Sequence, residues 1–202
     1  MFRRFIKSII FKRSDVPISS LVYSDEWCYR REGFGGKPLK ESPLYRFFYE
    51  YLHGDQEIAF KRFCSWYTDQ FIKYGDVDKR QGGMQFGTLY SFIAKKHLQK
   101  NMTVSDAKNL DPNIVTEVIA QRVAQRFALA DNIAKAGYTP NLSDPIIAVR
   151  QGGKYILYSG HHRCCILAAL GKTYCAQIST PKNIVAAYIY IFFQKLKWLF
   201  KK

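Results

Sequence analysis

Ile146-Ile147-Ala148-Val149, Gln151-Gly152-Gly153, Lys154-Tyr155-Ile156-Leu157-Tyr158 and Ser159-Gly160-His161-His162-Arg163 together set the fold of this 202-residue chain. The first run is a short apolar strand led in by Asp144-Pro145, the glycine pair is a turn, and the next run is a second strand. From Gly160 the pattern changes to Cys164-Cys165-Ile166-Leu167-Ala168-Ala169-Leu170, a helix of small and apolar residues that Gly171 stops. Thr173 to Ile178 then returns as a third strand. A glycine at a strand-to-helix turn lets the backbone approach a ligand, and the first amides of a helix point outward with the positive end of its dipole. With side-chain donors added by His161, His162 and Arg163, the turn Gly160, His161, His162, Arg163 predicts a site for phosphate or another oxyanion. Neighbouring residues on a helix point about 100° apart, so the His pair does not converge on one metal, and no metal site is expected.

Working outward, residues 14 to 45 look irregular, punctuated by Pro17, Gly33, Gly35, Gly36, Pro38 and Pro43. Ser42-Pro43 opens a long aromatic helix through Tyr45, Phe48, Tyr49 and Leu52. A break is allowed at Gly54, after which Ile58, Phe63, Trp66 and Phe71 carry the helix to Tyr74-Gly75. Gly75 to Gly83 reads as a polar loop. Helices follow at about 85 to 99 and about 112 to 136, the second framed by Asp111-Pro112 and Gly137. The expected class is α+β, a mainly helical region followed by a small mixed sheet with helices. Four segments result: 1–13, a basic amphipathic helix; 14–136, mainly helical; 137–180, the strand-turn-helix module; and 181–202, an apolar and basic helix.

The composition is globular, with 48% hydrophobic residues, 15 Phe and 14 Tyr, which excludes intrinsic disorder. Its net charge of +15 is unusual, and it is concentrated at the ends. Residues 1 to 13 hold five bases and no acid, and after Asp144 there are nine bases and no acid; 14 to 144 holds 17 bases against 16 acids. Phe2, Phe5, Ile6, Ile9 and Ile10 recur at helical spacing opposite Arg3, Arg4 and Lys7. Ile184 to Phe193 is an apolar run of ten, too short to span a bilayer, and Lys195, Lys197, Trp198, Phe200, Lys201 and Lys202 follow it. Both ends therefore read as lying in one leaflet of an anionic membrane, contacting it through Phe2, Phe5, Ile6, Ile9, Trp198 and Phe200. The competing reading is a last core helix with solvated basic tails. Five cysteines, Cys28, Cys64, Cys164, Cys165 and Cys175, without a signal peptide argue for a reducing, cytoplasmic setting. Cys164 and Cys165 read as small buried side chains on a helix rather than as a vicinal disulfide.

From Asp144-Pro145-Ile146 through Gly152-Gly153-Lys154-Tyr155-Ile156-Leu157 to Ser159-Gly160-His161-His162-Arg163, closed by Ala168-Ala169-Leu170-Gly171, the chain resembles the ParB/sulfiredoxin-like superfamily. The resemblance covers roughly residues 137 to 180, and a fainter likeness at Ser42-Pro43-Leu44-Tyr45-Arg46-Phe47 is to ParB-like proteins of cell-surface polysaccharide synthesis. It implies a nucleotide, ATP or CTP with Mg²⁺, whose phosphates are cradled by Gly160, His162 and Arg163. Branches of the superfamily bind CTP and DNA, repair an oxidised cysteine with ATP, or phosphorylate free serine. Two positions depart from those patterns. Where sulfiredoxins carry Cys before the His-Arg pair, this chain has His161; where the serine-kinase branch carries an acid before Gly, it has Ser159, which cannot serve as a carboxylate base or a charged metal ligand. Phosphoryl transfer therefore stays open: His162 and Asp144 are its catalytic candidates, with Asp76 or Asp78 as other sources of the missing acid.

The expected function is binding of a nucleotide or phosphorylated sugar by a peripheral protein on the inner face of the plasma membrane, in envelope-glycan synthesis. The alternative is a ParB-like nucleic-acid binder or nuclease. Bases interleaved with apolar residues, and no basic recognition helix in the neutral middle, weigh against it.

Overall fold

The structure is a computed structural model and describes residues 11–24, 33–80, 112–140 and 146–181. It is α+β. Its chain order is β1 (Phe11–Pro17), β2 (Leu21–Tyr23), α1 (Pro43–His53), α2 (Gln56–Arg80), α3 (Pro112–Ala136), β3 (Ile147–Gln151), β4 (Lys154–Ser159), α4 (His161–Ala169) and β5 (Tyr174–Pro181), with 3₁₀ turns at Ile18–Ser20 and Leu39–Glu41. The chain divides into two compact units, residues 1–46 with 133–202, and residues 47–132.

In the first unit the five strands form one sheet in the order β1-β5-β3-β4-β2. β3 and β4 are an antiparallel hairpin, whose Gly152 and Gly153 have φ of 56° and 80°, the left-handed pair that a two-residue hairpin turn requires. β5 meets β3 in parallel through Ile147 and Ser179, and β1 pairs antiparallel with β5. β2 runs parallel to β4, with Leu21, Val22 and Tyr23 opposite Tyr155, Ile156 and Leu157. The hairpin, helix and returning strand are those expected from the sequence. Both edge strands come from the segment before residue 24, most of which reads as irregular in sequence. The expected 137–180 module is therefore part of a larger sheet.

The 1–13 helix needs a correction. Phe11, Lys12 and Arg13 lie in strand β1, opposite Pro181, Thr180 and Ser179. A helical spacing of apolar residues is a weak preference, and pairing along β5 satisfies the same backbone groups through a ladder. Residues 1–10 and the 182–202 segment lie outside the described residues, and so does the helix expected at about 85 to 99.

α4 is buried almost all round. Cys164, Cys165, Ile166, Leu167, Ala168 and Ala169 are all buried, which explains its run of small and apolar side chains. It ends in a Schellman arrangement: Gly171 N–H donates to Ala168 O at 3.1 Å and Lys172 N–H to Leu167 O at 3.0 Å, with Gly171 at φ 71°.

The second unit is helical and aromatic. The break allowed at Gly54 is present, and α2 restarts with the Asp55 carboxylate accepting from Ile58 N–H at 2.9 Å. Phe63, fully buried, lies within 6.2 Å of the Phe47, Phe48, Trp66, Tyr67 and Phe127 ring centroids. Tyr51 stacks on Phe127 at 3.9 Å and donates to Asp131 Oδ2 at 2.9 Å; burial, reinforced by that carboxylate, pushes its hydroxyl up to about 12. The loop expected from Gly75 is corrected as far as Arg80: α2 runs through Gly75, Asp76, Val77, Asp78 and Lys79. A glycine inside a helix costs only about 1 kcal/mol, and each added residue of an established helix gains a backbone hydrogen bond. α3 spans the predicted stretch and closes with Gly137 at φ 76°, whose N–H donates to Ile133 O at 2.9 Å.

Candidate functional site

The strand-to-helix turn is built around Gly160. At φ 88° it occupies the left-handed region, and a β-carbon there would sit 2.6 Å from Ile146 Cγ1. Conformation and space both require glycine. The intrahelical ladder of α4 begins with Cys164 N–H donating to Gly160 O at 3.0 Å, so the amides of residues 161 to 163 precede it at the positive end of the helix dipole.

The three side chains of this turn have different surroundings. His161 is only 8% exposed, stacks on Tyr23 at 5.0 Å between centroids and places Nε2 3.0 Å from Leu157 O. Burial, with the charge of Arg163 acting in the same direction, lowers its pKa to about 4, against the pull of the Leu157 carbonyl. With Nε2 engaged by a backbone carbonyl and the ring stacked on Tyr23, His161 is held by packing. His162 and Arg163 are half-buried. The Arg163 charge acts on His161, Cys164 and Tyr138 alike.

Tyr138, just past the end of α3, joins the site without having been expected from the sequence. Its hydroxyl is buried near Arg163 without a hydrogen bond of good geometry; burial raises its pKa and Arg163 opposes that rise. Nothing local in Gly137-Tyr138-Thr139 signals this meeting across 25 positions.

Behind the turn lies a second buried cluster. The Tyr23 hydroxyl donates to Ser42 Oγ at 3.2 Å and lies 3.2 Å from Cys165 Sγ. Ser42 Oγ in turn donates to Leu39 O at 2.7 Å and accepts from Tyr45 N–H at 3.2 Å, capping α1 as the Ser-Pro start predicts. Burial pushes the Cys165 thiol up to about 11, and Tyr23 and Ser42 pull it the other way. This fixes β2, the start of α1 and α4 to one another within the sheet unit. As expected, Cys164 and Cys165 are buried, and among the described residues Cys64, Cys164, Cys165 and Cys175 are free thiols.

Asp144 lies outside the described residues, as do Phe2, Phe5, Ile6, Ile9, Trp198 and Phe200. Asp76 and Asp78 are on α2, in the helical unit. Among the described residues no group of three or more His, Cys, Asp or Glu side chains is arranged to hold a metal ion. None of the described helices is long and apolar enough to cross a membrane.

Compared with protein-family models, curated proteins and solved structures, the chain matches none.

Proposed function

We propose that the Gly160–Arg163 turn binds the phosphate of a nucleotide or of a phosphorylated sugar, in a peripheral protein of the inner membrane face. The observation that carries this reading is the turn itself: a glycine at positive φ where a β-carbon would meet Ile146, the first amides of a buried helix, and the charge of Arg163 beside them. The ligand set is Gly160, His162, Arg163 and the backbone of the first turn, with His161 packed against Tyr23. The resemblance to the ParB/sulfiredoxin-like superfamily draws support from the order β3, β4, turn, α4, β5 and from Gly171 closing the helix.

Binding rests on the turn alone, whereas catalysis needs more. With Ser159 at the position of an acid, phosphoryl transfer would need a carboxylate from elsewhere, Asp144 being nearest in sequence. A nucleotide would bring Mg²⁺ bound to its own phosphates, as such ligands usually do. The membrane half is supported by the basic, apolar termini.

A thermal-shift screen of nucleotides and nucleotide sugars with Mg²⁺, followed by calorimetric titration, tests the site. A ligand of the native state raises the unfolding temperature. Arg163→Ala is expected to weaken binding at least about tenfold through loss of a charge-assisted contact; unchanged affinity would remove the turn from consideration. Flotation with anionic liposomes, comparing the full chain with one lacking residues 182–202, tests the membrane half. Failure of the full chain to float would sink it. Salt-steep binding to duplex DNA in place of nucleotide binding would favour the nucleic-acid alternative.

A further inference from the structure

Two thiols 11 positions apart, on different elements, meet in the sheet unit. Cys164, in the first turn of α4, and Cys175, the second residue of β5, place their sulfurs 3.6 Å apart, and neither residue is exposed. The vicinal Cys165 is engaged elsewhere, with Tyr23 and Ser42. The sulfur of Cys164 therefore faces a partner from another element rather than its sequence neighbour. The contact needs to close by only about 1.5 Å to reach the roughly 2.05 Å of a disulfide bond.

We propose that Cys164 and Cys175 are an oxidisable pair whose disulfide fastens α4 to β5. The oxidant is a peroxide, small enough to enter when the unit opens locally. One thiol, as its thiolate, attacks an oxygen of hydrogen peroxide, breaks the O–O bond and becomes a sulfenic acid, with hydroxide leaving. The second thiolate attacks that sulfur and expels its hydroxyl. In sum, two thiols and one peroxide give one disulfide and two waters, the two electrons passing from sulfur to oxygen. Burial, and contact with Cys175, hold the Cys164 thiol in its protonated form, so the reaction waits on opening and is slow. The bond would close a loop of 12 residues one position after Arg163, at the residue whose N–H starts the helical ladder on Gly160. The proposal does not depend on what the turn binds.

The test is a peptide map of the full-length protein after graded hydrogen peroxide, with remaining thiols alkylated under denaturing conditions. Trypsin cleaves after Arg163, Lys172 and Lys182, so the two sulfurs fall on separate peptides, 164–172 and 173–182. A cross-link between those peptides, two of the five thiols lost to alkylation, and an unfolding midpoint raised by about 5 to 10 °C are expected. Cys165→Ala should keep the cross-link and Cys175→Ala should abolish it. A bond within peptide 164–172, a bond to Cys28 or Cys64, or five thiols still alkylated would each overturn the proposal. The wild-type map separates these outcomes even if a variant fails to fold.

Discussion

In the helical unit the buried ring of Phe63 meets Phe47, Phe48, Trp66, Tyr67 and Phe127, whereas in the sheet unit Tyr23, equally buried, sets its hydroxyl against Ser42 and the Cys165 sulfur. Ring packing is strong but tolerant, because a cluster of aromatics can rearrange at fixed volume. Hydrogen bonds among buried polar atoms are weaker in net terms but fix distance and direction, and leaving one unmade is expensive. The helical unit is held by area. Around its turn, the sheet unit is held by position.

Removing area should have the largest effect. Phe63→Ala is expected to cost about 3 to 5 kcal/mol in chemical denaturation, through lost transfer energy and a cavity among rings. A cost under about 1 kcal/mol would mean the cluster collapses around the gap, and the contrast between the units would be overstated.

Gly160→Ala tests position. The alanine must hold a positive φ and also push its β-carbon against Ile146, for about 2 to 4 kcal/mol. Loss of phosphate-ligand binding should exceed what the stability change explains. If Gly160→Ala binds normally while folded, the turn geometry does not matter to function.

His161 supplies the pH test. Its pKa is near 4 in the native state, lowered from the ordinary 6.5. Above pH 6.5 the ring is neutral in both states and costs nothing; as pH falls from 6.5 to 4 the unfolded chain takes up a proton that the native state refuses. Stability therefore falls across that window, by up to about 3 kcal/mol at its acid end. His161→Phe keeps a ring on Tyr23 and should flatten the slope between pH 4 and 6.5 by about one proton. An unchanged slope would mean that His161 titrates alike in both states.

Tyr23→Phe should be the mildest change, about 1 to 1.5 kcal/mol, because it deletes one hydroxyl and leaves Ser42 Oγ its other partners. A neutral result would show that the cluster merely fills space.

The parts of the fold legible in sequence are those announced locally. Gly152-Gly153, Gly160 and Gly171 each mark a backbone conformation that glycine adopts readily, and they delimit β3, β4, α4 and the approach to β5. The edge strands carry no such mark. β2 is three residues long, too short to show a period, and β1 holds Lys12, Arg13, Ser14 and Asp15 in a row where a half-buried strand would alternate polar with apolar. At the site, Gly160, His162 and Arg163 are readable from order alone. Tyr138 and Cys175 are not, nor is the contact of Ser42 with Tyr23, because these meetings are brought by tertiary folding; Tyr23 and Cys165 are 142 positions apart. His161 is legible as a position but not in role, since only burial against Tyr23 distinguishes it from His162.

The placement of β1 and β2 on opposite edges of the sheet sets an order of events during synthesis. β2 pairs with β4, which ends at Ser159, and β1 pairs with β5, which ends at Pro181, so both early strands wait through the long intervening sequence for partners made late. The helical stretch between them can settle sooner through nearby contacts. Until those partners arrive, the early strands have exposed backbone, and that interval is when the nascent chain is most exposed to mispairing with a neighbour.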